Sequence, residues 1–97
     1  MSLHMPDVLV LPGRMDASTL TETHADIVRR RGADLDLEAS QVDRFGAQAL
    51  QLILSTFGTW REDGFRLRIL APSQTVRSAF DQLGCAPALD DQEEIAA

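Results

Sequence analysis

The stretch ADLDLEAS, residues 33 to 40, decides how the rest of the chain is read. Leu35, Leu37 and Ala39 fall on one side and Asp34, Asp36 and Glu38 on the other. That strict period of two predicts a β-strand with one face in the core and one in water. FRLRIL, residues 65 to 70, repeats the device with Phe65, Leu67 and Ile69 inward and Arg66 and Arg68 outward. The segment between them, Gly46 to Asp63, has a helical pattern, so the two strands are predicted to run parallel through a right-handed crossover. Their acidic and basic outer faces then lie side by side, which favours this register. Each exposed pair is worth only ~0–1 kcal/mol, so the charges read as register and solubility devices.

Working outward, VLVLP (residues 8 to 12) is an apolar run stopped by Pro12-Gly13 and predicts a central strand buried on both faces. Asp16 is the expected N-cap of a helix that carries Leu20, His24, Ile27 and Val28 on its apolar stripe and stops at Gly32. Arg29, Arg30 and Arg31 fall in its last turn, where cations complement the helix dipole. The crossover helix places Leu50, Ile53, Leu54, Phe57 and Trp60 on its packing stripe, as a helix lying on a sheet requires. Gln48, Ser55 and Thr59 fall opposite with Leu52 among them, either a lone exposed leucine or part of a binding surface. A third helix is predicted from an N-cap at Ser73, with Val76, Phe80 and Leu83 inward and Gly84 at its end. DDQEEIAA then closes the chain as a short acidic helix or a frayed tail. The succession of strand and helix, three times over, is an α/β pattern, expected as a small mixed β-sheet with helices packed mainly on one face.

A chain of 97 residues has room for one core, so residues 8–97 are read as a single domain and residues 1–7 as an N-terminal extension. Apolar residues at 44% and charged residues at 25% match ordinary globular domains, which excludes a disordered or fibrous chain. The net charge of −6 argues against a nucleic acid partner, since phosphate binding needs a local excess of Lys and Arg. No apolar run is long enough for a bilayer, and MSLHMPD lacks the basic and apolar regions of a signal peptide. The expected compartment is the cytoplasm, without membrane insertion.

No catalytic constellation is present in the pattern. Cys85 follows a helix C-terminus, has no histidine close in sequence and reads as a small apolar residue. His24 reads as a packed, hydrogen-bonded histidine. With one cysteine and two histidines no standard metal-ligand spacing exists, so neither a metal nor a cofactor is expected. Asp34, Asp36 and Glu38 share a face with arginines beside them, which suits charge pairing better than acid–base work. The glycines are scattered singly and build no phosphate cradle. Binding is what remains, and loops on a rigid scaffold are where it concentrates.

The order of elements resembles the STAS domain, the fold of bacterial anti-sigma factor antagonists. The resemblance covers Val8 to Leu89 and is carried by GRMDASTL, by LDLEASQVD leading into a glycine at a helix start, and by WREDG ahead of FRLRIL. In that family the turn after the strand typically reads Asp-Ser-Ser-Gly or Asp-Ser-Ala-Gly, and its first serine is phosphorylated by a partner kinase of the GHKL type. Here the matching residues are Asp43, Arg44, Phe45 and Gly46, so Arg44 stands where the phosphorylated serine is expected. Arginine has no hydroxyl, and no phosphorylation is expected at this position. A phosphoserine would add about −1.5 to −2 charge there, whereas Arg44 supplies a fixed positive one. GAQALQLILSTFGTWREDG is also similar to the STAS proteins found with bacterial chemotaxis genes, with Gly46, Ala47, Gln51, Trp60 and Gly64 matching.

The resemblance implies a non-catalytic regulatory domain, a monomer or weak dimer, that docks to a kinase-like partner such as a chemotaxis histidine kinase or an anti-sigma factor. The implied surface is Asp43, Arg44, Phe45, Gly46 and Ala47 with Gln48, Gln51, Leu52 and Ser55 on the outer face of the following helix. In it Arg44 would meet an acidic group and Phe45 an apolar pocket. Two alternatives stay open: a STAS subunit or module of a membrane transport system, and a sensor holding a small ligand against the sheet near His24.

Overall fold

A computed structural model describes residues 7–82 and Gly84. The expectations for residues 1–6 of the N-terminal extension, Leu83, Cys85 and the DDQEEIAA segment lie outside the described residues. The elements run β1 (Asp7–Val10), β2 (Arg14–Met15), α1 (Leu20–Val28), β3 (Leu35–Glu38), β4 (Arg44–Phe45), α2 (Ala47–Asp63), β5 (Leu67–Leu70) and α3 (Gln74–Gln82). β1, β3 and β5 make a three-stranded sheet in that order, and β2 pairs with β4 as a separate two-stranded ribbon. Every pairing is parallel. The mixed sheet expected from sequence is thus parallel over the described residues, because each return of the chain passes through a helix and resumes the same direction.

The two crossovers step the same way across the sheet, so right-handed connections put α1 and α2 on one face. Burial agrees with this placement. Leu35, Leu37, Leu67 and Ile69 join Ile27, Leu50, Ile53, Trp60, Val76 and Phe80 in one core cluster. The other face carries Val8, Val10, Asp36, Glu38, Arg68 and Leu70, which the register aligns in two rows.

β3, not the VLVLP run, is the central strand. β1 lies at the edge of the three-stranded sheet, with Val8 48% and Val10 54% exposed. A short apolar run cannot distinguish an edge from a centre, because only neighbouring strands decide how much of it is covered. The central position also changes Asp36. Expected in water, it is only 5% exposed because Val8 and Arg68 flank it on either side. Its carboxylate accepts hydrogen bonds from Arg68 Nε at 3.3 Å and Nη2 at 3.2 Å, realising the predicted opposite-charge register. Asp34 acts differently, accepting the Arg66 backbone N–H at 2.8 Å. Phe65, expected inward, precedes β5 and is 38% exposed.

α1 begins later than the capping pattern suggests. Asp16 turns its carboxylate onto Ser18, accepting from the N–H at 3.0 Å and from Oγ at 2.6 Å, so it closes the 16–19 turn instead of capping the helix. Thr19 takes the N-cap position without a side-chain capping bond, and its Oγ1 donates to the Arg14 carbonyl at 2.7 Å. Thr23 and Ile27 are the buried residues of α1, whereas His24 and Val28 are exposed, contrary to the expected stripe. The helix ends at Val28, so the three arginines follow its last turn and are held by ion pairs. Arg29 bonds Asp26, and Arg31 meets Asp63 at the end of α2 with two bonds of 3.0 Å. Arg30 donates from Nη1 to the Asp26 carbonyl, while its Nε lies 2.9 Å from Asp7 without hydrogen-bond alignment.

α2 starts at Gly46 and stops at Gly64, whose φ of +82° is a left-handed conformation in which a side chain would be strained. Its buried residues are Ala49, Leu50, Ile53, Thr56 and Trp60. The packing face is therefore rotated from the expected one: Leu54 is 36% exposed, and Leu52 is half-buried against the core. Ala49 and Thr56 make this possible, being small enough for close approach, with Thr56 Oγ1 donating to the Leu52 carbonyl at 2.7 Å. Trp60 packs inward as predicted and donates from Nε1 to the Ala33 carbonyl at 2.8 Å. Ser73 is the N-cap of α3, accepting the Val76 N–H at 3.3 Å while donating to the Val42 carbonyl at 2.5 Å.

Two substitutions distinguish the rotated face from the predicted one. Leu52→Gln is expected to lower the urea unfolding midpoint, at a cost of ~1–2 kcal/mol, while Leu54→Gln stays within about 0.5 kcal/mol of the parent. The reverse order would restore the original stripe. Ser73→Ala, which removes a cap and a tie to the 39–42 loop, is expected to cost ~1 kcal/mol in the same measurement.

Candidate functional site

The segment that attracted attention in the sequence is built as a short ribbon leading into α2. Gly13 starts it: its carbonyl accepts the N–H groups of Asp43 at 2.8 Å and Arg44 at 3.1 Å. A side chain here would crowd the backbone, because a Cβ on Gly13 would stand 3.2 Å from the Gln41 carbonyl oxygen. β2 and β4 then pair Arg14 with Arg44 and Met15 with Phe45. Strand alternation sends Met15 fully into the core and leaves both arginines exposed. Residues 44 and 45, read from sequence as part of a turn, are thus a two-residue strand.

Phe45 is not a free anchor. It is half-buried, packed against the core, with its ring stacked on Phe80 at 6.2 Å between centroids and 23° between planes. Apolar area spent on Phe80 is no longer available to a partner pocket. Arg44 differs: its guanidinium makes no ion pair among the described residues, whereas Arg14 Nε lies 3.3 Å from Asp16.

Gly46 caps α2 without a side-chain bond, and the first turn of α2 holds no acidic residue. Asp43, Arg44, Gly46, Ala47, Gln48, Gln51 and Ser55 are all exposed. Gln48, Gln51 and Ser55 recur at three and four residues, so they share the solvent face of α2. Leu52 falls outside this exposed set, half-buried on the core flank of the helix. The structure therefore brings together seven of the nine expected residues on an accessible turn and helix face, and turns Phe45 and Leu52 toward the core.

Arg14 was absent from the sequence-based set. Its signal is the repeated basic–apolar doublet, Arg14-Met15 and Arg44-Phe45, which the parallel register places side by side. Two residues carry no measurable period, so the pairing cannot be read without the fold.

Three carboxylates are held below their ordinary range by donors around them. In Asp16 the Ser18 hydroxyl bond comes first; burial opposes it next, and the Ser18 N–H and the positive charges of Arg14 and Arg44 follow, each lowering. In Glu38 the backbone N–H and hydroxyl of Ser40 act in that order, and in Asp63 the guanidinium of Arg31. Ser40 is exposed, and its Oγ donates to Glu38 Oε2 at 3.0 Å.

Among the described residues there is no group of three or more His, Cys, Asp or Glu side chains placed to hold a metal ion. No helix there is long and apolar enough to cross a membrane. His24 is exposed on α1, so it does not line a site against the sheet. No protein-family model, no curated protein and no solved structure matches the chain.

The lowered carboxylates set an acid limit on stability. A depressed folded-state pKa contributes stability above the ordinary carboxylate pKa and loses it as pH falls through the folded value. The urea midpoint is therefore expected to hold from neutral pH to about 4.5 and to fall below about 4. Asp16→Asn is expected to flatten that fall. A midpoint that rises on acidification would contradict the assignment.

Proposed function

We propose that this chain is a non-catalytic regulatory domain of the STAS type that docks to a kinase-like protein through the Asp43–Ala47 turn and the outer face of α2. The observation that carries the reading is Arg44: an exposed guanidinium without an ion pair among the described residues, held on a short strand immediately before the N-terminus of α2. Arg29, Arg30 and Arg31, which follow α1, are by contrast engaged with Asp26, Asp7 and Asp63. An exposed guanidinium on an ordered scaffold, not committed to a close ion pair among the described residues, suits recognition of an external acidic group.

The resemblance supplies the partner class, a chemotaxis histidine kinase or an anti-sigma factor, and Arg44 at the serine position makes the contact insensitive to phosphorylation there. The sheet topology supports the same reading. Parallel βαβ units with both crossover helices on one face hold the turn at the strand-to-helix junction, the rigid platform such a surface needs.

Photo-crosslinking tests it directly. A benzoylphenylalanine introduced at Gln48 or Gln51 is expected to capture a kinase-type protein in cells, and one at Val8 on the open sheet face is not. Arg44→Asp should weaken the captured partner's binding without lowering the thermal midpoint. Capture from Val8 alone would move the interface to the opposite side of the domain.

A further inference from the structure

We propose that Ser73 is a positioning residue for the docking turn, holding through its hydroxyl the backbone from which Arg44 is presented. The proposal rests on the docking reading and extends it to the start of α3. Ser73 stands 31 residues beyond Val42, yet its Oγ donates to the Val42 carbonyl at 2.5 Å. Its N–H donates to the Ala39 carbonyl at 3.2 Å, so it grips the loop ahead of the turn at two places.

The Val42 carbonyl and the Asp43 N–H belong to one peptide group, and that group is bonded on both sides. Ser73 holds the carbonyl, while the N–H donates to the Gly13 carbonyl at 2.8 Å. The same Gly13 carbonyl accepts the Arg44 N–H at 3.1 Å, so the bonds run from α3 through the turn to β4. A peptide group is planar, and fixing both of its ends fixes the direction in which the next residues leave. Ser73 is half-buried, where water competes less for the carbonyl and a hydrogen bond is stronger. Farther along α3, Phe80 holds the Phe45 ring, so the helix fixes the segment by backbone at one end and by side chain at the other.

The turn that delivers Ser73 carries a strained residue. Ala71 has a φ of +47°, the one non-glycine residue with a positive φ among the described residues, and it precedes Pro72. A Cβ disfavours that region, and a following proline pushes the residue before it toward extended backbone. Such strain persists where surrounding contacts over-determine it, and the two bonds from Ser73 to the 39–42 loop are contacts of that kind. The hydroxyl also accepts the Val76 N–H at 3.3 Å, so it caps α3 while giving its own proton to the docking turn. The two jobs need different chemistry, because a carboxylate can cap a helix but has no proton to donate.

S73D therefore keeps the cap and removes the tie, S73A removes both, and S73T retains both. Amide hydrogen exchange of the full chain, followed by nuclear magnetic resonance, reads the two jobs separately. In S73D the Asp43 and Arg44 amides are expected to exchange roughly three- to tenfold faster than in the parent, with Val76 and Arg77 unchanged. In S73A both sets should accelerate, and S73T should match the parent. Parent-like exchange of Asp43 and Arg44 in S73D overturns the positioning role, as does acceleration spread evenly over β3 and α2. Crosslinking yield from benzoylphenylalanine at Gln48 or Gln51 should fall roughly two- to fivefold in S73D and recover in S73T, because a looser turn must be ordered on binding. A loosened turn with undiminished yield overturns the link between Ser73 and docking. A parent chain that gives no crosslink overturns the docking reading itself, and the exchange rates still decide whether Ser73 holds the turn.

Discussion

Strand β3 is the constraint on which the other elements depend. Its two edges are occupied by β1 and β5, and hydrogen bonds along it reach in four directions. Asp34 and Glu38 accept the backbone N–H groups of Asp7 and Leu11, and Ala39 donates to Leu70 while accepting from Ser73. The Ala33 carbonyl, just before the strand, receives the indole of Trp60 at 2.8 Å. A shift of one residue in β3 would expose Leu35, Leu37 and Ala39, bury Glu38 and remove these partners together. The Asp36–Arg68 pair adds directionality, because it exists in only one register of β3 against β5.

Most of this was legible in the residues around β3. An alternating strand states which side is inward, and a helical segment between two such strands implies a parallel crossover, so the β3–α2–β5 unit followed from pattern alone. Ser73 was legible for a similar reason, since a capping hydroxyl acts locally. What the pattern missed depended on neighbours distant in sequence. Val8 and Val10 are as apolar as a central strand requires, yet no strand or helix covers them among the described residues. Asp16 has the chemistry of a cap but found a nearer donor in Ser18. Leu54 has greater hydrophobicity than Thr56, and the helix nevertheless turned Thr56 inward because a small side chain with an internal acceptor packs more closely.

The candidate site follows the same division. Exposure of Gln48 and Ser55 could be anticipated from the helix pattern. The ribbon that joins Arg14 to Arg44 could not, because it is a tertiary pairing between residues separated by all of α1 and β3. Phe45 shows how one residue can change role with context: an aromatic side chain beside a polar turn suggests an exposed anchor, but α3 brings Phe80 to its face. The resulting surface is more polar than the sequence implied. Association there would consequently depend on ionic strength more than on temperature, since screening acts on charge and not on buried apolar area.

The edge strand has a consequence for behaviour in concentrated solution. Over the described residues β1 spans Asp7 to Val10 and is followed within two residues by Pro12. A strand added along this part of it from another molecule would find, just beyond Val10, a residue that cannot donate. The two exposed valines are thereby separated from the feature that turns apolar strands into templates for fibrils. Lengthening β1 by replacing Pro12 would remove that safeguard without touching the core, converting a blunt margin into a surface on which chains can stack.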